Sequence, residues 1–110
     1  MKEYNVLLCC GAGMSSGFLA QQLRSAAKKK KIPMQAAAKS QNDIEDYLSN
    51  ADVLLIGPHL AYLKEYLEKK CKPYNIPVEI IPKDVYAALN GAKLLDQVIA
   101  MLNMEDMNHE

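Results

Sequence analysis

Cys10-Gly11-Ala12-Gly13-Met14-Ser15-Ser16 is the segment of this chain whose residue types and spacing can do chemistry. It joins an apolar run to a helical stretch. Its two glycines allow close backbone approach by a ligand, and its two serines supply hydroxyl donors and helix caps. The unpaired N–H groups of a helix's first turn, with the helix dipole behind them, form an anion site. A thiol at that place has its thiolate favoured by the same field. The segment reads as a nucleophile, Cys10, inside a phosphate-sized cradle made by Gly11, Ala12, Gly13, Met14, Ser15 and Ser16.

The elements that must position this segment follow from the hydrophobic pattern. Residues 6–10, 52–56 and 78–81 are short continuous apolar runs bounded by Gly or Pro, the pattern of strands buried on both faces. Residues 33–38 make a weaker fourth strand, because their alanines suit a helix equally well. Helical segments lie between, at 14 to about 30, 42–48, 60 to about 70, 84–89 and 91–102; Leu94, Leu95, Val98, Ile99 and Leu102 line one face of the last. Strands alternating with helices predict an α/β fold: a four-stranded parallel open sheet with helices on both faces, a flavodoxin-like or phosphatase-like three-layer sandwich. In such sheets the ligand lies beyond the strands' carboxyl ends at the switch point, where Cys10 stands.

Composition narrows the function further. The 110 residues suit one domain, expected over 1–103 with a flexible tail at 104–110. Thirteen basic and thirteen acidic residues balance, so the basic excess of a nucleic-acid binder is missing. Three cysteines, two of them adjacent, make no disulfide framework, which points to a reducing cytosol. No run approaches the roughly 20 apolar residues that span a bilayer, and no secretory signal is visible at the start. Two histidines and scattered cysteines give no metal-ligand spacing.

Three chemistries fit the loop itself. A thiol phosphatase of the Cys-(x)5-Arg type needs an arginine to clamp phosphate. Ser16 occupies that position, and the sole arginine, Arg24, lies about two turns into the helix. A flavodoxin-like anion-binding module needs no nucleophile. A phosphoryl carrier needs a thiolate, neutral N–H donors and a second protein to present the next acceptor.

The stretch Leu8-Cys9-Cys10-Gly11-Ala12-Gly13-Met14-Ser15-Ser16 resembles the phosphocysteine loop of IIB components of the bacterial phosphotransferase sugar-uptake system, lactose/cellobiose class. The resemblance continues through Ala51 to Tyr62, Pro77 to Pro82, Asp84-Val85-Tyr86 and Asn90-Gly91, in the family's order. It implies that Cys10 takes phosphate from a phosphohistidine on a IIA protein. Cys10 then passes it to a sugar held by the membrane IIC protein. The carrier would be a bacterial cytoplasmic transferase, with no membrane insertion of its own and no metal or organic cofactor. One departure is Gly11, where Ser or Thr is common in the family; a hydroxyl contact is lost and the backbone cradle is not.

Other residues have plainer readings. Cys9 is expected to pack in the core, and Cys71 to pack or lie incidentally on the surface. Lys28 to Lys31 fall more than about 20 Å from the loop at about 1.5 Å rise per residue, and read as a solvated helix end. His59, Tyr62 and Tyr86 are placed at loops on the active edge: His59 reads as a loop histidine, with a role near the phosphate or in docking as its alternative, and Tyr62 and Tyr86 as core or rim packing, with docking as theirs. His109 falls in the tail.

Overall fold

The computed structural model describes residues 3–10 and 15–102, the side chains of Ser15 and Ser16 excepted. Four strands, β1 (Tyr4–Cys10), β2 (Met34–Ser40), β3 (Val53–Ile56) and β4 (Val78–Ile80), form one sheet in the order β2-β1-β3-β4. All three pairings are parallel. The chain direction of the strand order reverses beside β1, so the switch point lies between β1 and β3, at their carboxyl ends. The predicted sheet and its strand sites are those observed.

The continuous apolar runs are buried on both faces because each face carries its own core. Val6, Leu8, Val53 and Leu55 face α1 (Ser15–Lys29) and α4 (Gly91–Met101), packing on Leu19, Leu23, Leu94, Leu95 and Val98. Leu7, Cys9, Leu54 and Ile56 face the other way, toward Ile44, Leu48, Leu60 and Leu67. The alternation of a strand divides consecutive apolar residues between two layers. The three-layer sandwich therefore follows directly from runs such as Val6-Leu7-Leu8-Cys9.

The alanine-rich segment becomes β2 and extends two residues past its expected end, to Ser40. Ala36 is buried in the α1-side core beside Met34. Two predicted α-helices are tighter. Residues Ile44–Asn50 form a 3-10 helix, with Asp43 N–H donating to Ser40 O and Asp46 N–H to Asp43 O. The 60–70 helix opens as a 3-10 turn, Pro58–Leu63, and becomes α2 only at Lys64–Cys71. Leu60 is the reason: its backbone leaves helical angles (φ −111°, ψ 20°) as its side chain enters the core.

Helix ends follow local chemistry. α1 stops at Lys29 with two lysines in its last turn, favourable at the negative end of the dipole, and Lys31 turns left-handed. α3 (Lys83–Ala88) ends at left-handed Leu89. Asn90 then caps α4, its side-chain oxygen accepting from Lys93 N–H at 3.1 Å.

Candidate functional site at the carboxyl end of the sheet

β1 delivers Cys10 to the switch point, and α1 begins at Ser15, four residues after the loop opens. Loop residues Gly11, Ala12, Gly13 and Met14, and the side chains of Ser15 and Ser16, lie outside the described part of the structure. So do the tail 104–110 and His109. What the structure defines is the frame around the loop.

Cys9 and Cys10 are separated by the strand's alternation. Cys9 is fully buried among Ile44, Leu54 and Ile56 on the α2 side of the sheet. Burial pushes its thiol up to about 11, and the neighbouring Cys10 adds to the shift. A thiol so hard to ionise is a packing group, as expected for Cys9. Cys71, also fully buried, is raised to about 11 by burial and by Glu68, and it packs in the same core. Cys10 continues the parity of Val6 and Leu8 and so lies on the α1 side. It is 6% exposed, and its S–H donates to the Lys39 carbonyl at 3.6 Å.

The two strands beside β1 flank Cys10. On the β2 side its register partner is Ser40, whose hydroxyl donates to the Asp43 carboxylate at 3.2 Å. Sequence reasoning missed Ser40; the parallel register of β1 and β2, anchored at Tyr4↔Met34, is the signal that finds it. On the β3 side lies Gly57, whose N–H donates to the Cys9 carbonyl at 3.0 Å.

Two of the three rim residues meet. The His59 and Tyr86 rings stand edge to face, 5.6 Å apart with planes at 64°. His59 comes from the turn after β3 and Tyr86 from α3, so the pair joins that turn to α3. Tyr62 is separate from that pair: it is 73% exposed, a surface position, so the core-packing reading does not hold for it. Phe18, 53% exposed in the first turns of α1, is a second open aromatic near the loop.

Arg24 is committed elsewhere. Its guanidinium donates to the Ala36 carbonyl of β2, which places it along the sheet and away from the position that a phosphate clamp would need. Lys39, whose carbonyl accepts the Cys10 S–H bond, holds its ammonium over the Tyr47 ring at 4.3 Å. Among the described residues no group of three His, Cys, Asp or Glu side chains could hold a metal ion. No helix among them is long and apolar enough to cross a membrane.

A buried thiol at the end of the first strand, a helix opening just beyond it and a switch point beside it are shared by carriers and phosphatases alike. Comparison with known proteins separates them. Residues 5–97 match the family described as the phosphotransferase system (PTS), lactose/cellobiose-specific IIB subunit. The chain belongs to that family. IIB components are phosphotransferases of sugar uptake, and this chain is one of them. It is 31% identical to the oligo-beta-mannoside-specific EIIB component of Bacillus subtilis, over 88% of this chain and 94% of that protein. The solution structure of a cellobiose-specific IIB component from Borrelia burgdorferi superposes with a TM-score of 0.75 at 36% identity, covering 93% of this chain and 94% of that one. A lactose-specific EIICB component of Lacticaseibacillus casei is 28% identical over 87% of this chain, which spans 17% of that larger protein. A IIB unit thus occurs joined to a C component in one polypeptide, and a phosphatase or simple anion-binding reading of this IIB subunit is not favoured.

Proposed function

We propose that Cys10 is the residue that carries the phosphoryl group. In this reading its thiolate accepts phosphate from a phosphohistidine on a IIA protein. It then transfers the group to a sugar bound by the membrane IIC component. Backbone N–H groups from Gly11 to Ser16, with the Ser15 and Ser16 hydroxyls, hold the phosphoryl oxygens. No metal is needed, because phosphoryl transfer depends mainly on positioning and on electrostatic stabilisation of the transferring group. The domain occupies 1–103, with 104–110 as its tail, and works in the bacterial cytoplasm against the membrane face of IIC.

The observation that carries this reading is the division of labour between the adjacent thiols. Cys9 is sealed in the α2-side core with its thiol held neutral, whereas Cys10 ends the strand where the loop and α1 begin. The absence of an arginine from the loop supports a carrier over a hydrolase. A charged clamp stabilises any attack on phosphorus, attack by water included. Neutral donors hold the intermediate without that help. The IIC partner is supported by the EIICB relative, whose name joins C and B components. Exposed Tyr62 and Phe18 supply apolar area for docking at this end of the molecule.

Mass spectrometry after incubation with a phosphohistidine-bearing IIA protein tests the assignment. One phosphate on the peptide containing Cys10, lost in Cys10→Ser and kept in Cys9→Ser, is the expected result. An adduct that survives Cys10→Ser, or turnover of phenyl phosphate without a stable adduct, overturns it.

A further inference from the structure

The parity of the two central strands places one more functional group beside Cys10. Along β1, Val6 and Leu8 face α1 and α4, while Leu7 and Cys9 face away; along β3, Val53 and Leu55 face α1 and α4, while Leu54 and Ile56 face away. Register pairs Cys9 with Ile56. Extending each strand by one residue sets Cys10 beside Gly57, both directed to the α1 side, and the Gly57 N–H to Cys9 O bond keeps the two chains together at that point. Adjacent strands lie about 4.8 Å apart.

Gly57 has no side chain to fill its place in that row. The His59 ring fills it instead: a Cβ on Gly57 would fall 2.9 Å from His59 Cε1 and 3.3 Å from Nδ1, and 3.6 Å from the Cys9 carbonyl oxygen. The imidazole therefore folds back over the end of β3, in the position where a cross-strand neighbour of Cys10 would stand. Three further features support that position. Pro58 fixes the turn, Leu60 N–H donates to Gly57 O at 2.9 Å while its side chain is buried, and Tyr86 packs edge to face on the ring. His59 itself is exposed to solvent, so the held ring faces outward from the sheet end. A ring pinned on one side and open on the other is suited to contacting a ligand.

We propose that His59 is a catalytic residue of the phosphoryl transfer, donating a ring N–H to an oxygen of the phosphoryl group as it moves to and from Cys10. The inference rests on Cys10 being the carrier. During loading, the Cys10 thiolate gives an electron pair to phosphorus and forms the S–P bond. The N–P bond of the donor phosphohistidine breaks, and its pair returns to the donor ring, which holds a proton on its other nitrogen and leaves neutral. His59 transfers no proton. By donating its ring N–H it stabilises charge on the moving oxygens. Tyr86 acts through His59 as a positioning residue.

Single-turnover loading from phosphorylated IIA, measured across IIA concentrations, tests this with three variants. His59→Phe keeps a ring against Gly57 and Tyr86 but removes the donor. It is expected to lower the maximal loading rate about 100- to 1,000-fold, the scale of losing one oxyanion-hole donor. The half-saturating IIA concentration is expected to stay unchanged. His59→Gln restores an N–H donor and should recover most of the rate; Tyr86→Leu should fall between the two. Parental rates in His59→Phe would show that the ring only packs, and a change confined to half-saturation would show that it only docks. Either result overturns the role given to His59 while leaving Cys10 as carrier. Failure of the unmodified protein to take phosphate on Cys10 overturns both readings together.

Discussion

Gly91 of α4 lies directly on the backbone of Gln22 in α1: a Cβ built on Gly91 would come within 2.4 Å of the Gln22 carbonyl carbon and oxygen. Backbone cannot swing aside as a flexible side chain does, so the approach of the two helices is set by the missing side chain. The helix held in this way is the one that follows Cys10 in the chain. Gly91→Ala is expected to destabilise the fold by about 1–3 kcal/mol and to slow loading of Cys10 by shifting α1. Gly17→Ala, exposed with nothing within 4 Å of its added Cβ, is the matched control. It is expected to be neutral or stabilising by up to about 1 kcal/mol. Denaturant unfolding of both variants checks the pair.

Arg24 is a tie to β2 in this fold. Arg24→Met keeps most of the aliphatic stem and removes the bond to Ala36 O. A loss of about 1 kcal/mol of stability is expected, the usual worth of one hydrogen bond, with phosphorylation of Cys10 reaching the parental extent. Abolished phosphorylation in a folded Arg24→Met protein would contradict the placement.

The two sealed thiols make stability fall in alkali. For Cys9 and Cys71 the ordinary value of 9.0 rises to about 11 in the fold. Below about pH 9 both states keep the proton and nothing changes. Between about pH 9 and 11 the unfolded chain releases protons that the folded chain retains, so unfolding becomes progressively more favourable. Chemical denaturation at pH 8 and pH 10.5 should show the loss, reduced in Cys71→Ala relative to its own pH 8 value. Iodoacetamide at pH 8 should label Cys10 before either of them.

The neutral loop also predicts how an added charge behaves. Ser16→Arg places a guanidinium where a thiol phosphatase has one. The phosphorylated variant is expected to hydrolyse about tenfold or more faster than the parent, the scale of one charged contact to the transition state. The half-life of the isolated phosphoprotein in water is the measurement. An unchanged half-life would remove the argument that neutral donors protect the intermediate.

Much of this was legible before folding because parallel sheets and thiol chemistry both leave marks in one dimension. Continuous runs such as Val6-Leu7-Leu8-Cys9 are dictated by two-sided burial, so strand positions and the layered fold could be read from them. For the candidate site, the end of the first strand at Cys10 was legible, and there the structure ends β1. Helix type was less legible. The stretches at 44–50 and 58–63 have helical apolar spacing, yet they wind as 3-10 helices, since burying Ile44, Leu48 and Leu60 against the sheet outweighs local preference.

By itself the sequence determined which residues are available for chemistry: which thiol ends a strand, which residues follow it, and that no arginine stands between them and the helix. Tertiary structure decided which groups stand beside that thiol. Strand order places β2 on one side of β1 and β3 on the other. Ser40, 30 residues away by number, and the Gly57–His59 turn, almost 50 away, thereby flank Cys10. No spacing along the chain carries that information, because register is fixed by hydrogen bonds between strands and by the burial of whole faces.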